Sequence, residues 1–328
     1  MIMEKRKLFY ADAIKEALAI KMRQDDAVIL FGEDIAGYGG VFGVTKGLLA
    51  EFGETRVRNT PLAEGAIVGE AVGMALYGLK PVPEIQFSDF VTTCMSPLVD
   101  LAATYHYRIG TPLPITFRMP SGGMMNIGNF HSKSLESWFV HVPGLKVVMP
   151  STAYDAKGLL LASIQDPNPV LYLEHKKLYR EIKDEVPEGY YEVPLGISRV
   201  VREGSDLTIF TYGAMVHLAS RAADKLAHEN IDVEILDLRT IYPFDEQGIG
   251  HSFKKTKRAI ILHEAPKIGG FGAELASWLE ENYFDYLAAP IIRLGSKHTP
   301  VPTNPVLEKN YLPSEADVIE AARKLMKY

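Results

Sequence analysis

Short apolar runs and amphipathic stretches take turns along most of the chain. Ile14, Leu18 and Met22 share one face of a helix-like segment, and the run Val28-Ile29-Leu30-Phe31 follows it. The same reading predicts a helix over Ala66–Tyr77, a strand over Val82–Phe87, a helix over Val91–Tyr107 and a strand over Ile115–Arg118. Strands at Val147–Met149 and Val170–Leu173 bracket a helix over Tyr154–Ile164. A second series runs Leu207–Tyr212 as strand, a helix reaching His228, strands at Val233–Leu236 and Ala259–His263, a helix after Gly270 and a strand at Ile291–Leu294. Apolar strands alternating with helices predict an α/β protein of two domains, each a mostly parallel sheet with helices on both faces. Glu181–Gly204, with Pro187, Pro194 and many charges, reads as a linker, so the expected domains are 1–180 and 205–328 with 181–204 between them. No repeat of solenoid period and no low-complexity tract is present.

Composition narrows the function without naming it. A chain of 328 residues has room for two domains of roughly 150 residues each. A hydrophobic content of 47% against 23% charged is ordinary for a globular protein. The net charge of −6, with no dense Lys/Arg stripe, gives no reason to expect nucleic acid. The single cysteine, Cys94, excludes an internal disulfide, an all-cysteine iron–sulfur cluster and a multi-thiol zinc site, and reads as a packing residue. Met1–Lys7 is charged with no apolar run of signal-peptide length after it, and no apolar stretch reaches roughly 18 residues. A cytoplasmic protein that does not meet a membrane is expected.

In open parallel sheets, ligands sit at the carboxyl ends of the strands. Glu33 and Asp34 fall there after Phe31, as do Gln86 and Phe87 at the end of the strand over Val82–Phe87 and Phe90 just beyond it. An amide, an aromatic ring and a carboxylate converging on one crevice suit a flat, partly basic heterocycle. Glu64 stands in Thr60-Pro61-Leu62-Ala63-Glu64-Gly65, just before a helix with Gly65, Gly69 and Gly73 at four-residue spacing. That spacing lets the helix backbone come close to another element or a second chain. Taken alone, Glu64 reads as an acid favoured by a helix N-terminus, and Phe90 as a core residue. Buried, the carboxylate would need a proton to share or a partner to hold.

Further on, Ser121-Gly122-Gly123 opens a glycine-interrupted loop that passes Gly128-Asn129-Phe130 and ends in His131-Ser132-Lys133-Ser134-Leu135-Glu136. His131 suits proton transfer in such a loop, although a loop histidine by itself is more often a surface residue. His141 reads as structural or supporting, and His263, before Glu264-Ala265-Pro266, is ambiguous between the two. Asp166-Pro167-Asn168-Pro169 reads as a turn closing a helix. Gly269-Gly270-Phe271-Gly272-Ala273-Glu274 lacks the spacing of a dinucleotide loop, and nucleotide binding is not expected there.

With Val142-Pro143-Gly144-Leu145-Lys146-Val147-Val148-Met149-Pro150, the order and spacing of these motifs resembles the β subunit of the thiamine-diphosphate-dependent 2-oxoacid dehydrogenases, from about Leu8 to the C-terminal helix. The resemblance implies a transketolase-like pyrimidine-binding domain followed by a transketolase C-terminal-like domain. It implies an α₂β₂ enzyme that decarboxylates a branched-chain 2-oxo acid or pyruvate and passes the acyl group to the lipoyl arm of an acyltransferase. Glu64 would hydrogen-bond a nitrogen of the cofactor's pyrimidine, with Leu62 and Gln86 in contact, Phe90 stacking and Glu33 behind them. Many relatives carry Tyr where Phe90 stands. His131 would assist reductive acylation of the lipoyl group. The usual His-Ser-Gln-Ser is here His131-Ser132-Lys133-Ser134, which puts a cation near the lipoyl entrance. A structural potassium ion is implied at Ile115, Ser163, Ile164, Asp166 and Asn168, mostly through main-chain oxygens. The Gly-Asp-Gly motif that anchors Mg²⁺ and the diphosphate is absent, so the α subunit would supply those ligands. The acyltransferase's basic subunit-binding domain would meet acids near the end of the helix after Gly270: Glu280, Glu281 and Asp285, beside Trp278, Tyr283 and Tyr286. The β subunit of acetoin dehydrogenase, which shares nearly all these motifs, and a non-catalytic scaffold of the same fold are the alternatives.

Overall fold

The structure, a computed structural model, describes residues 5–328. The chain separates into two compact units: the first holds the chain up to Ser121 and again Trp138–Leu195, the second holds Gly122–Ser137 and Gly196–Tyr328. Among the described residues no helix is long and apolar enough to cross a membrane.

The first unit begins with β1 (Lys5–Phe9), α1 (Tyr10–Gln24), β2 (Val28–Gly32), α2 (Leu48–Phe52), β3 (Val57–Asn59), α3 (Glu64–Leu76) and β4 (Lys80–Glu84). After two short irregular helices come α4 (Ala103–Ile109), β5 (Thr116–Ser121), α5 (Glu136–Val140), β6 (Lys146–Val148), α6 (Ala153–Gln165), β7 (Val170–His175), α7 (Leu178–Glu181) and β8 (Lys183–Pro187). Within this unit the strands run β6-β7-β5-β4-β2-β3, every neighbouring pair parallel. Their sequences explain it: β2, β5 and β7 are buried along their whole length, as strands covered on both faces must be. α1 and α6 pack together, and α6 is started by the Thr152 side chain, which accepts from the backbone N–H of Asp155 at 3.1 Å. β1 and β8 form a separate antiparallel pair.

The pattern predicted one helix over Val91–Tyr107, and here the chain differs. Ser88–Cys94 winds as a 3₁₀ turn, Pro97–Ala102 as a π-helix, and only Ala103–Ile109 is α-helical. Pro97 has no N–H to give an α-helix, and Thr104 Oγ1 donates to the carbonyl of Asp100 at 2.6 Å, so the regular ladder is broken where the apolar period would have continued it.

The second unit comprises β9 (Arg199–Arg202), β10 (Leu207–Thr211), α8 (Met215–Ala227), β11 (Val233–Asp237), β12 (Thr240–Tyr242), α9 (Glu246–Thr256), β13 (Ala259–Pro266), α10 (Phe271–Tyr283), β14 (Ile292–Ser296), α11 (Pro305–Tyr311) and α12 (Glu315–Leu325). Its sheet runs β14-β13-β10-β11-β9, parallel except for the edge strand β9. The segment 181–204 thus contains two strands, β8 and β9, one in each unit. α12 starts on a reciprocal cap between Ser314 and Asp317 and packs on α8.

Candidate functional site

Carboxylates gather at the carboxyl ends of β2 and β4. Glu33 follows the last residue of β2 and is 4% exposed, and neither of its carboxylate oxygens has a hydrogen-bond partner among the described residues. Burial, then the negative charges of Glu64, Asp34 and Glu84, push its pKa up to about 7. Gln86 Nε2 donates to Asp34 Oδ2 at 3.4 Å, tying the end of one strand to the loop after the other.

Glu64 is the first residue of α3 and is 8% exposed, so it is not the solvated helix end that its position alone suggests. The Thr93 hydroxyl lies 3.0 Å from Glu64 Oε2 and 2.7 Å from the carbonyl of Phe90. That hydroxyl has one proton and two acceptors. When it donates to the carbonyl, its oxygen is left to accept a proton carried by Glu64. Cys94, in the same turn, is buried, donates to the carbonyl of Val91 at 3.3 Å, and has its pKa raised to about 12 by burial and then by the charge of Glu64. It is a packing residue and no thiolate at neutral pH.

Phe90 ends a run of ring contacts: Tyr10 to Tyr179 at 6.0 Å, Tyr179 to Phe42 at 5.1 Å, Phe42 to Phe87 at 5.8 Å and Phe87 to Phe90 at 5.7 Å. One end of that run is in the core and the other reaches Phe90, which is half-buried. Leu62, on the loop before α3, is exposed. Gly65 packs toward the 3₁₀ turn, where a Cβ would stand 3.3 Å from the carbonyl of Thr93. Gly69 and Gly73 look onto open space, and with Leu76 and Tyr77, the latter 88% exposed, they make an uncovered face of α3.

Behind these residues lies a buried ion cluster that sequence reading missed. Arg118 on β5 donates to Glu174 Oε1 at 2.6 Å, to Glu174 Oε2 at 2.8 Å and to Glu84 Oε2 at 2.6 Å, and Tyr179 donates to Glu174 at 2.7 Å. Burial works against the guanidinium charge, and Glu174 and Glu84 more than offset it. The signal was an arginine among apolar residues, Phe117-Arg118-Met119-Pro120, inside a strand, since such a charge is buried only when paired.

The turn at Asp166 closes with its own side chains. The Asp166 carboxylate is held by Lys146 and accepts from the backbone N–H of Asn168 at 2.9 Å. Asn168 Oδ1 meets His106 Nδ1 at 2.6 Å, Ser163 Oγ donates to the carbonyl of Leu159 at 2.7 Å, and Ile164 is buried. The carbonyl of Ile115 accepts from Val170 at 2.9 Å. Among the described residues no group of three or more His, Cys, Asp or Glu side chains is placed to hold a metal.

His131 and Lys133 belong to the second unit, on the loop 122–137. His131 is half-buried and its N–H donates to the carbonyl of Gly128 at 3.2 Å; the Lys133 ammonium stands 5.8 Å from the centre of the Phe130 ring. His141 is exposed. His263 is a neutral core histidine: burial pushes its pKa down to about 4, and Nδ1 meets the carbonyl of Ala265 at 3.0 Å. Its ring explains Gly270 and Gly272, because a Cβ on either would come within 2.4 or 2.7 Å of it. At the end of α10, Glu280, Glu281 and Asp285 are exposed, with the Lys254 ammonium 5.1 Å from the Tyr283 ring and 5.5 Å from that of Tyr286.

Residues 6–181 match the family described as transketolase, pyrimidine binding domain, and residues 196–318 match transketolase, C-terminal domain. The pyruvate dehydrogenase E1 component subunit beta of Bacillus subtilis is 45% identical, over 96% of this chain and 98% of that one. The chain belongs to the transketolase-like β-subunit family of the 2-oxoacid dehydrogenases. The mitochondrial 2-oxoisovalerate dehydrogenase subunit beta of Dictyostelium discoideum is 44% identical, over 99% of this chain and 88% of that one. The acetoin:2,6-dichlorophenolindophenol oxidoreductase subunit beta of Bacillus subtilis is 42% identical over 98% of each. Pyruvate, branched-chain and acetoin enzymes thus stand at nearly equal identity, and the family assignment leaves the substrate open. A solved structure described as a split-gene transketolase, inactive beta4 tetramer, has the same fold, with a TM-score of 0.78 at 20% identity over 98% of each chain.

Proposed function

We propose that this chain supplies the pyrimidine-binding half of a thiamine-diphosphate site in an α₂β₂ enzyme acting on pyruvate or a branched-chain 2-oxo acid. The observation that carries the reading is the Glu33–Glu64 pair: two buried carboxylates, one with no hydrogen-bond partner among the described residues and a pKa of about 7, the other sharing the Thr93 hydroxyl with the carbonyl of Phe90. Membership of the family implies dependence on thiamine diphosphate. When bound, that cofactor supplies the electron sink that lets a 2-oxo acid lose carbon dioxide.

The residues present fit its aminopyrimidine. Glu64 would hydrogen-bond a ring nitrogen, and Thr93 holds its carboxyl in place. Glu33, protonated over much of the neutral range, keeps a second negative charge away from Glu64 and is a proton reserve behind it. Phe90 presents its ring for stacking, and Gln86 and Leu62 border the crevice. His131 assists reductive acylation of the lipoyl group, with Lys133 two residues on. Mg²⁺ and the diphosphate fall to the α subunit, because this chain has no Gly-Asp-Gly. The open face of α3 at Gly69, Gly73, Leu76 and Tyr77 suits that partner.

The acyltransferase's basic subunit-binding domain would meet Glu280, Glu281 and Asp285, with Lys254 limiting the acidity of that face. Reversing Glu281 and Asp285 together should weaken that association and reduce its salt dependence; unchanged binding would remove them from the interface. Reconstitution with an α subunit, then a panel of pyruvate, branched-chain 2-oxo acids and acetoin with an artificial electron acceptor, tests the function. Turnover of a 2-oxo acid is expected. Turnover of acetoin alone would assign the chain to the acetoin enzymes, and no turnover despite bound cofactor would make it a scaffold.

A further inference from the structure

The loop that carries His131 has an unusual backbone. Gly122, Met124, Asn126 and Gly128 all have φ between +59° and +82°, a region that the Met124 side chain disfavours and that Asn tolerates. Such a run persists only where its surroundings hold it. Two buried carboxylates of the same unit do so. Glu308, 2% exposed on α11, accepts from the backbone N–H of Met124 at 2.9 Å with Oε1 and from that of Asn126 at 2.9 Å with Oε2. Glu264, 6% exposed on β13, accepts from the N–H of Gly123 at 2.6 Å and from Ser134 Oγ at 3.2 Å. The loop is thus gripped on both sides of His131, three residues before Ser134 and five after Asn126. Tyr212 closes the end, donating to Glu136 Oε1 at 2.7 Å.

The two carboxylates are themselves fixed. Asn304 caps α11, accepting from the N–H of Val306 at 2.9 Å, and the N–H of Glu308 donates to the Asn304 carbonyl at 2.8 Å, so the helix start sets where Glu308 points. Gly123 fits between the acids: a Cβ there would stand 3.0 Å from Glu308 Oε1 and 3.5 Å from Glu264 Oε1. At Gly128 a Cβ would stand 2.3 Å from Thr303 Cγ2, which seats the loop on the segment leading into α11.

We infer that Glu308 is a positioning residue for His131, aided by Glu264: it holds the loop in its left-handed run so that the imidazole is presented in one place. Charge-assisted bonds from N–H groups to a buried carboxylate are strong and directional, which a loop rich in glycine needs. The inference rests on the role proposed for His131, and its test separates the two.

Glu308→Ala and the isosteric Glu308→Gln are compared in the reconstituted α₂β₂ enzyme by amide hydrogen exchange and by two assays. In Glu308→Ala, exchange in peptides covering 122–130 should rise at least about 10-fold while β10 and β13 keep their protection. Glu308→Gln, which keeps one acceptor, should lie between. Acyl transfer to a lipoylated domain should fall about 10-fold or more in Glu308→Ala, with decarboxylation to an artificial acceptor within about 2-fold of wild type. Unchanged exchange in the loop overturns the inference, as does a loss of protection spread evenly over β10 and β13. A loosened loop with both assays unchanged sustains the clamp and overturns the role given to His131.

Discussion

Four buried glutamates divide into two pairs with opposite fates. In the second unit, Glu264 and Glu308 each accept two hydrogen bonds from the loop they hold, and their oxygens are used for structure. In the first unit, among the described residues, Glu33 has no hydrogen-bond partner for either oxygen, and Glu64 meets the Thr93 hydroxyl, whose proton another acceptor shares. All four are at most 8% exposed, so burial does not make the difference. What differs is satisfaction. A carboxylate that accepts hydrogen bonds from the chain around it stabilises a shape, whereas one left unsatisfied costs stability, and the fold retains that cost where a ligand or a proton is to be handled.

The sharpest way to break this comparison is at Glu64. On the proposed role of Glu64, Glu64→Gln removes the proton shared with the cofactor, and decarboxylation by the reconstituted enzyme should fall by about 10²–10⁴-fold with the fold retained. A mutant that turns over at the wild-type rate would make Glu64 a structural helix end, no different in kind from Glu308.

A smaller effect with a definite sign is expected at Glu33. Its folded pKa of about 7 lies above that of an ordinary glutamate, so the charged form is the disfavoured one in the fold. Whatever stability the neutral group allows is fully present below roughly pH 4 and is lost as the pH rises through about 7. Glu33→Gln should therefore leave stability unchanged at low pH and raise it by about 1–3 kcal/mol at pH 8, read from denaturant midpoints of the lone chain across that range. A destabilised mutant at pH 8 would mean that Glu33 has a partner after all, and the two pairs would no longer differ.

How much of this was legible in the sequence varies with the physics of each part. The strands β2 and β7 were visible because Val28–Phe31 and Val170–Leu173 are the continuous apolar runs of parallel strands covered on both faces, and α3 because Ile67, Val68, Ala71, Val72 and Ala75 repeat at helical spacing. Placing Glu33, Gln86 and Phe90 at strand ends followed from that, since the end of an apolar run marks the end of a strand. The 3₁₀ and π turns from Ser88 to Ala102 were not visible, because the apolar period passes through them unbroken while the backbone does not. The Glu308 clamp was hidden for another reason: residues 182–184 positions apart in the chain meet through backbone N–H groups, and no side-chain pattern in the loop records its partner. The neutral His263 was undecided in sequence, and only the glycines packed against its ring show that Gly270 and Gly272 make room for a side chain.

The central claim is that this chain holds the pyrimidine half of a cofactor site and depends on a partner for the rest. Titration calorimetry with thiamine diphosphate and Mg²⁺ tests it on the purified chain, alone and then with an α subunit added. The lone chain should show no measurable Mg²⁺-dependent binding, because no Gly-Asp-Gly anchors the diphosphate and the face of α3 at Gly69, Gly73 and Tyr77 stands uncovered. Tight binding should appear once the partner is present. Stoichiometric binding by the chain alone would contradict the account.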